Sequence, residues 1–204
     1  MVRKFRKRSY SLKNLKKLIY LISPKKIYKD FYSDLAKVLA VKNVKFFQLR
    51  LKKEKKEKLI KIAIKIRKIT KKYKVKLIIN DHPNISKIVN ADGCHMGQND
   101  GSLKNSKKYL KKKIVGVTCH NSKLLAKIAI QNKADYVAFG SFNKSKLKPK
   151  AKKANLSILK WAKRNIKKPI VAIGGINNSN YKRFLKSGAK YIAISSYIWD
   201  NPKL

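Results

Sequence analysis

The sequence predicts an α/β fold, a single compact (β/α)8 TIM barrel, on three features. Short apolar, β-branched or aromatic runs recur eight times at fairly even intervals. Stretches with helical spacing lie between them. No linker or composition break divides the 204 residues, a length that fits one domain and buries a sizeable core. Because the runs are continuous rather than alternating, they suit parallel strands covered on both faces. Eight strand–helix repeats in about 200 residues sit at the small end of the barrel range. A doubly wound open sheet is the alternative. It would use fewer strands, and no G-x-G-x-x-G or G-x-x-x-x-G-K-[ST] follows any run.

In chain order the runs are Leu18–Ile22, Phe46–Leu49, Leu77–Ile79 and Gly93–His95 (the weakest), then Ile114–Val117, Tyr136–Phe139, Ile170–Ile173 and Tyr191–Ile194. Within Glu54–Lys72, Leu59, Ile60, Ala63, Ile64 and Ile66 recur at helical spacing with lysines opposite. Leu124, Leu125, Ile128 and Ala129 repeat the pattern behind Ser122, and Leu156, Leu159, Trp161 and Ala162 behind Asn155. Tyr181, Phe184 and Leu185 follow Ser179 and Asn180. Ser and Asn at these places can accept hydrogen bonds from the first free helix amides. Residues 1–17 form a basic leader (Arg3, Lys4, Arg6, Lys7, Arg8, Lys13, Lys16, Lys17), a loose arm or a barrel-bottom helix ahead of a domain over 18–204.

Hydrophobic residues make up 44% of the chain, too much for a disordered tail. No apolar run approaches the roughly 20 residues needed to cross a bilayer, and Leu18–Ile22 is too short for a secretory signal. A soluble, cytoplasmic protein is expected. Cys94 and Cys119 form no C-x-x-C pair and no metal-ligand spacing with His95 or His120, so they read as reduced structural thiols. The 54 Lys+Arg against 9 Asp+Glu give a formal charge of +45, a field that attracts nucleic acid, anionic lipid or phosphorylated small molecules. Biased codon usage in an AT-rich genome would scatter lysine in the same way, so charge alone is weak evidence for a nucleic-acid role.

Barrel chemistry sits on the loops after the strands. Gln48 lies near the end of the second run and Arg50 and Lys52 follow it, Asn80, Asp81 and His82 follow the third, and Gly97 to Asp100 the fourth. Thr118 and His120 close the fifth, Asn143, Ser145 and Lys146 follow the sixth, Gly174-Gly175 the seventh, and Ser195-Ser196 the eighth. Plainer readings exist. Gln48 and Arg50 alternate with Leu49 and Leu51 and could form a polar barrel layer, Asp81 could cap the next helix, and Asp100 could sit in an Asn-Asp-Gly turn. Yet two of the nine carboxylates, Asp81 and Asp100, fall beyond adjacent strands among many cations, as a divalent ion shared with a phosphate requires. Asp92 and Asp135 precede strands, at the opposite end, and read as structural. Gly174-Gly175 and Ser195-Ser196 occupy the positions where barrels often cradle a phosphate with backbone amides.

The ordered set QLRLK (48–52), IINDH (78–82), ADGCHMGQND (91–100), GVTCH (116–120), ADYVAFG (134–140), VAIGGI (171–176) and GAKYIAISS (188–196) resembles the thiamine-phosphate synthase family, from Leu18 to Ile198. That resemblance implies condensation of a hydroxymethylpyrimidine diphosphate with a thiazole phosphate, giving thiamine monophosphate and pyrophosphate with Mg²⁺ as cofactor. It assigns Gln48, Arg50, Lys52 and Asn80 to the pyrimidine diphosphate, and Asp81 and Asp100 to Mg²⁺. Thr118, standing where the family usually has Ser, would touch the pyrimidine or diphosphate. Lys146 would reach the diphosphate, and Gly175, Ser195 and Ser196 would hold the thiazole phosphate. On the same resemblance Arg50, Lys52, Thr118 and Lys146 would form the catalytic set. One departure stands out. Asn143-Lys144-Ser145-Lys146 replaces the family's Pro-Thr-x-Thr-Lys segment, shortened by about two residues; Asn143 and Ser145 keep hydrogen-bonding side chains for the substrate.

Two rival readings follow. The related thiazole tautomerase shares the barrel and a histidine at the position of His120, but needs no diphosphate site, whereas Lys52, Asn80, Asp81 and Asp100 are all present here. A basic nucleic-acid-binding protein on a degenerate barrel would interleave aromatics with its cations, whereas the ten tyrosines are scattered. The expected partners are therefore small phosphorylated substrates, with no membrane, nucleic acid only through non-specific charge attraction, and a homo-oligomer left open.

Overall fold

Each of the eight apolar runs is a strand, and the strands pair in chain order to close a parallel barrel. The structure is a computed structural model describing residues 18–41, 43–143 and 153–200; the basic leader, Ser145 and Lys146 lie outside them. The strands are β1 (Ile19–Ile22), β2 (Val44–Leu49), β3 (Lys76–Asn80), β4 (Gly93–Met96), β5 (Ile114–His120), β6 (Tyr136–Phe139), β7 (Ile170–Ile173) and β8 (Tyr191–Ile194). Between and after them come α1 (Phe31–Ala40), α2 (Lys56–Lys72), α3 (Pro83–Ile88), α4 (Leu103–Leu110), α5 (Lys123–Gln131), α6 (Leu156–Asn165), α7 (Tyr181–Lys186) and α8 (Ser196–Trp199). An open sheet is thus excluded, because β1 pairs with both β2 and β8.

The strand differences have one cause. Pairing is a backbone property, so β5 continues through the polar Thr118 to His120, and β2 begins at Val44 beside Ile19. Apolar runs mark only the part of a strand whose side chains are buried. α1, α3, α4 and α8 add to the helices read from spacing; α1 buries Phe31, Leu35 and Leu39. Two caps form as expected, with Ser122 Oγ accepting from the Leu125 amide (3.2 Å) and Asn155 Oδ1 from that of Ser157 (2.9 Å). Asn180 does not cap α7. Its Oδ1 accepts from the Asn177 amide and its Nδ2 donates to the Gly175 carbonyl, so it orders the loop after β7. Nor does Asp81 cap α3, which starts behind His82 without a side-chain cap. α2 starts at Lys56 rather than Glu54, and Glu54 pairs with Lys58.

The residues fall into two apolar layers. Inside the barrel lie Tyr20, Ile22, Phe46, Ile78, Tyr136, Ala138, Val171, Tyr191 and Ala193. A larger cluster fills the space between strands and helices, including Phe31, Phe47, Leu77, Phe139 and Phe184. Cys94 and Cys119 are unpaired and buried in it, and burial pushes both thiols up to about 12, so neither is a ready nucleophile. Among the described residues no helix is long and apolar enough to cross a membrane.

The closed end of the barrel is held by acids, as their positions before strands imply. Asp92 accepts from the Leu77 amide and pairs with Arg67 and Lys76. Asp135 accepts from the Val115 amide and pairs with Lys107. Each carboxylate therefore ties one strand to its neighbour.

Interior volume is matched residue against residue. Tyr136 fits inside only because β5 has no side chain opposite it, and a Cβ at Gly116 would lie 1.9 Å from the Tyr136 Cζ. Gly116→Ala is therefore expected to destabilise by about 1–3 kcal/mol, since the ring must move within a close-packed barrel. Thermal melting should fall by several degrees; an unchanged melting temperature would show that the ring has room to yield.

Candidate active site

Closure brings the ends of β2, β3, β4 and β5 to one rim. Lys52 stands beyond β2, and its Nζ lies 3.1 Å from Asp81 Oδ2. Asp81 directly follows β3 and its amide donates to the His95 carbonyl (2.8 Å), which extends the ladder by one residue. Its backbone is left-handed (φ 62°), a conformation Asp adopts more readily than most residues. Asp100 comes from the loop after β4. Its Oδ2 accepts from the Gly97 amide (2.8 Å), and a Cβ at position 97 would sit 2.3 Å from that oxygen, so the loop needs glycine there.

The Asp81 and Asp100 carboxyls line one cavity and interact electrostatically. Burial, and then the adjacent Asp81, push the Asp100 carboxyl above its ordinary range, against the Gly97 amide and Lys52, which favour the charged form. A cavity of about 280 Å³ opens on this pair, lined by Leu51, Lys52, Leu59, Asn80, Asp81, His82 and Asp100. Two carboxylates lining one cavity are the oxygen donors that a hard cation takes. Among the described residues no group of three or more His, Cys, Asp or Glu is placed to hold a metal ion, so an ion on this pair would keep positions open for phosphate oxygens or water. The donor set thus fits Mg²⁺.

The other candidates divide. Arg50 is half-buried beside β1, its amide donating to Ser23 Oγ (2.9 Å). Gln48 lies inside the barrel, only 2% exposed, and its Nε2 donates to Tyr20 Oη; the polar-layer alternative describes it well. Thr118 is half-buried at the mouth, with Oγ1 2.8 Å from His95 Nε2. His120 is exposed with a left-handed backbone, past a register shift in β5.

On the far side, Gly175 is exposed, and the Ser195 and Ser196 pair follows β8, the neighbour of β7. Ser195 Oγ donates to the Ser23 carbonyl (3.0 Å), leaving Ser196 as the exposed hydroxyl. Asn143 joins two loops. Its Nδ2 donates to the carbonyls of Gly174 and Gly175, and its Oδ1 accepts from Arg183. Its amide is thereby engaged in holding the glycine turn rather than presented to the cavity. The sequence reading missed Tyr20, His95 and Tyr136, polar groups inside apolar runs, where only their alternation with core residues could have marked them.

Known proteins match this arrangement. The family model described as thiamine monophosphate synthase matches residues 19–198. A thiamine-phosphate synthase of Pelagibacter ubique (strain HTCC1062) is 54% identical over 92% of this chain and 91% of its own length. One from Erythrobacter litoralis (strain HTCC2594) is 36% identical, covering 89% and 88%. Among solved structures, thiamine phosphate pyrophosphorylase from Pyrococcus furiosus superposes with a TM-score of 0.80 at 26% identity, covering 89% of this chain and 87% of that one. A match spanning every strand, together with close relatives over nine-tenths of the length, shows that the chain belongs to the thiamine monophosphate synthase family.

Proposed function

We propose that the chain condenses a hydroxymethylpyrimidine diphosphate with a thiazole phosphate, forming thiamine monophosphate and releasing pyrophosphate with Mg²⁺ as cofactor. What carries this reading is the meeting of Lys52, Asp81 and Asp100 in one cavity at the strand ends of a barrel matched by the family over residues 19–198. Asp81 and Asp100 would hold Mg²⁺, which when bound neutralises charge on the diphosphate and makes it a better leaving group.

The chain's own residues bind and orient. Without substrate, the Lys52 ammonium offsets Asp81. Beside a diphosphate it would turn to the phosphate oxygens together with Arg50, and Asn80 and Thr118 would add hydrogen bonds. The C–O bond to the pyrimidine methylene breaks with its electron pair leaving on pyrophosphate, and the electron-rich aminopyrimidine stabilises the methylene cation. The thiazole nitrogen, held through its phosphate by Gly175, Ser195 and Ser196, attacks that carbon. No protein nucleophile is needed; positioning and charge neutralisation supply the rate. Incubation with both substrates and Mg²⁺ should yield thiamine monophosphate; if none forms, the reading is wrong.

Asp81→Asn or Asp100→Asn should lower Mg²⁺-dependent pyrophosphate release by roughly 100-fold or more, with the far-UV circular dichroism unchanged. Asn tolerates the left-handed backbone at 81, so the fold is spared. Full activity in both variants would remove them as metal ligands.

Lys52→Ala should act chiefly on the diphosphate, raising its KM about tenfold, the order for losing a hydrogen bond to a charged group. Unchanged KM and kcat would sink that role.

The raised Asp100 carboxyl also has a sign that stability measurements can read. In the metal-free fold this group binds its proton more tightly than in the unfolded chain, so its stabilising contribution is present at low pH and lost as pH rises through the folded value. Asp100→Asn should therefore melt higher than the natural protein at pH 7 without metal. The gap should close near pH 4, about the unfolded value for Asp. A lower melting temperature for the variant at pH 7 would contradict a carboxyl raised by burial and by the adjacent Asp81.

A further inference from the structure

One chain of hydrogen bonds connects the barrel interior to the rim. Gln48 Nε2 donates to Tyr20 Oη at 3.1 Å, and the Tyr20 and Tyr136 hydroxyls lie 2.7 Å apart. Tyr136 Oη is 2.9 Å from His95 Nδ1, and His95 Nε2 is 2.8 Å from Thr118 Oγ1. Gln48, Tyr20, Tyr136 and His95 are all buried, none more than 9% exposed. The His95 ring stacks on that of Tyr136 at an interplanar angle of 16°, so its orientation is set by packing as well.

Counting protons gives the chain a direction. Burial raises both phenols above their ordinary range, so each keeps its single proton. The Gln48 nitrogen can only donate. Tyr20 accepts that bond and donates its own hydrogen bond to Tyr136, which donates its own to His95 Nδ1. In that direction Nδ1 of a neutral His95 accepts, and the ring hydrogen sits on Nε2, aimed at Thr118 Oγ1. With its oxygen receiving a bond, the Thr118 hydroxyl has its proton left to give. Running in reverse, the chain would aim Thr118 lone pairs at an anionic substrate.

We propose that this chain holds His95 as the neutral Nε2–H tautomer and thereby sets Thr118 as a hydrogen-bond donor to the phosphorylated substrate, with His95 and Tyr136 as positioning residues. The inference rests on the synthase reading for the identity of that substrate. Tyr20 is the weaker member of the chain. Without its hydroxyl, Tyr136 still has His95 Nδ1 as an acceptor.

The test reads the tautomer by ¹⁵N NMR in the substrate-free full chain, assigning His95 among the three histidines by substituting His82 and His120. His95 should show a bare Nδ1 and a protonated Nε2. Tyr20→Phe should preserve that pattern and Tyr136→Phe should lose it, although each removes one buried hydroxyl. Activity supplies the second arm. Tyr136→Phe should lower kcat about tenfold, the order seen when a group orienting a ligand's hydrogen bond is lost. In a Thr118→Val background the same change should add nothing. Should Tyr136→Phe not fold, His95→Gln, which keeps an N–H toward Thr118, should retain at least tenfold more activity than His95→Leu. A protonated Nδ1 in the natural protein, equal effects of the two tyrosine variants on the tautomer, additive rate losses, or equal losses in the two His95 variants would each overturn the proposal. Because the tautomer is read without substrate, failure of this inference and failure of the synthase reading appear in different measurements.

Discussion

Parallel closure is the constraint on which everything else depends. In a closed parallel barrel every strand runs the same way, so residues just past eight different strands share one rim however far apart they stand in sequence. Lys52, Asp81 and Asp100 meet for this reason, each following a successive strand. Closure in turn requires an interior that fills without strain. The missing side chain at Gly116 and the ring of Tyr136 are two halves of one volume, and the site inherits its geometry from fits of this kind.

The two ends of the barrel treat their acids in opposite ways, and the contrast separates structure from chemistry. Asp92 and Asp135 each receive a backbone amide from a neighbouring strand and a basic side chain, so their charge is used up in holding strands together. Asp81 and Asp100 face each other across a cavity, and one of them is pushed toward its neutral form. Asp81 has Lys52 and Asp100 has the Gly97 amide of its own loop, but neither carboxylate accepts an amide from a neighbouring strand as those at the other end do.

How much of this could be read from the sequence depended on the kind of signal. β6, β7 and β8 run between the same residues as their apolar runs, because there every side chain is buried or nearly so. β5 extended further than its run because Thr118 and His120 stay in the backbone ladder while their side chains turn to the mouth. The rim acids were legible because acids are scarce here, nine against 54 basic residues, so two beyond adjacent strands were conspicuous. Hydrogen-bond partners were not legible. Asn143 looked like a substrate ligand from its place after β6, but its amide joins the loops of β6 and β7. Asn180 stood where a cap belongs, and orders a turn instead. Short polar side chains choose among several backbone groups within reach, and that choice is made by tertiary geometry.

Tyr20, Gln48, His95 and Tyr136 pose the same question inside the barrel, where aliphatic side chains would pack without polar cost. A buried polar group left unpaired costs about 1–3 kcal/mol, so such a set is tolerable only if every member is satisfied. Among the described residues only Asn43 Oδ1 is buried without a partner, so these four meet that condition. Satisfaction explains why they can be there; it does not explain why they should be. The asymmetry of the chain does. One end is the Gln48 amide deep in the barrel, and the other is Thr118, the half-buried member, at the mouth beside the Asp81 and Asp100 loops. A network that served packing alone could close on itself in the core. This one leaves the core at a single hydroxyl, so its order is felt at the rim.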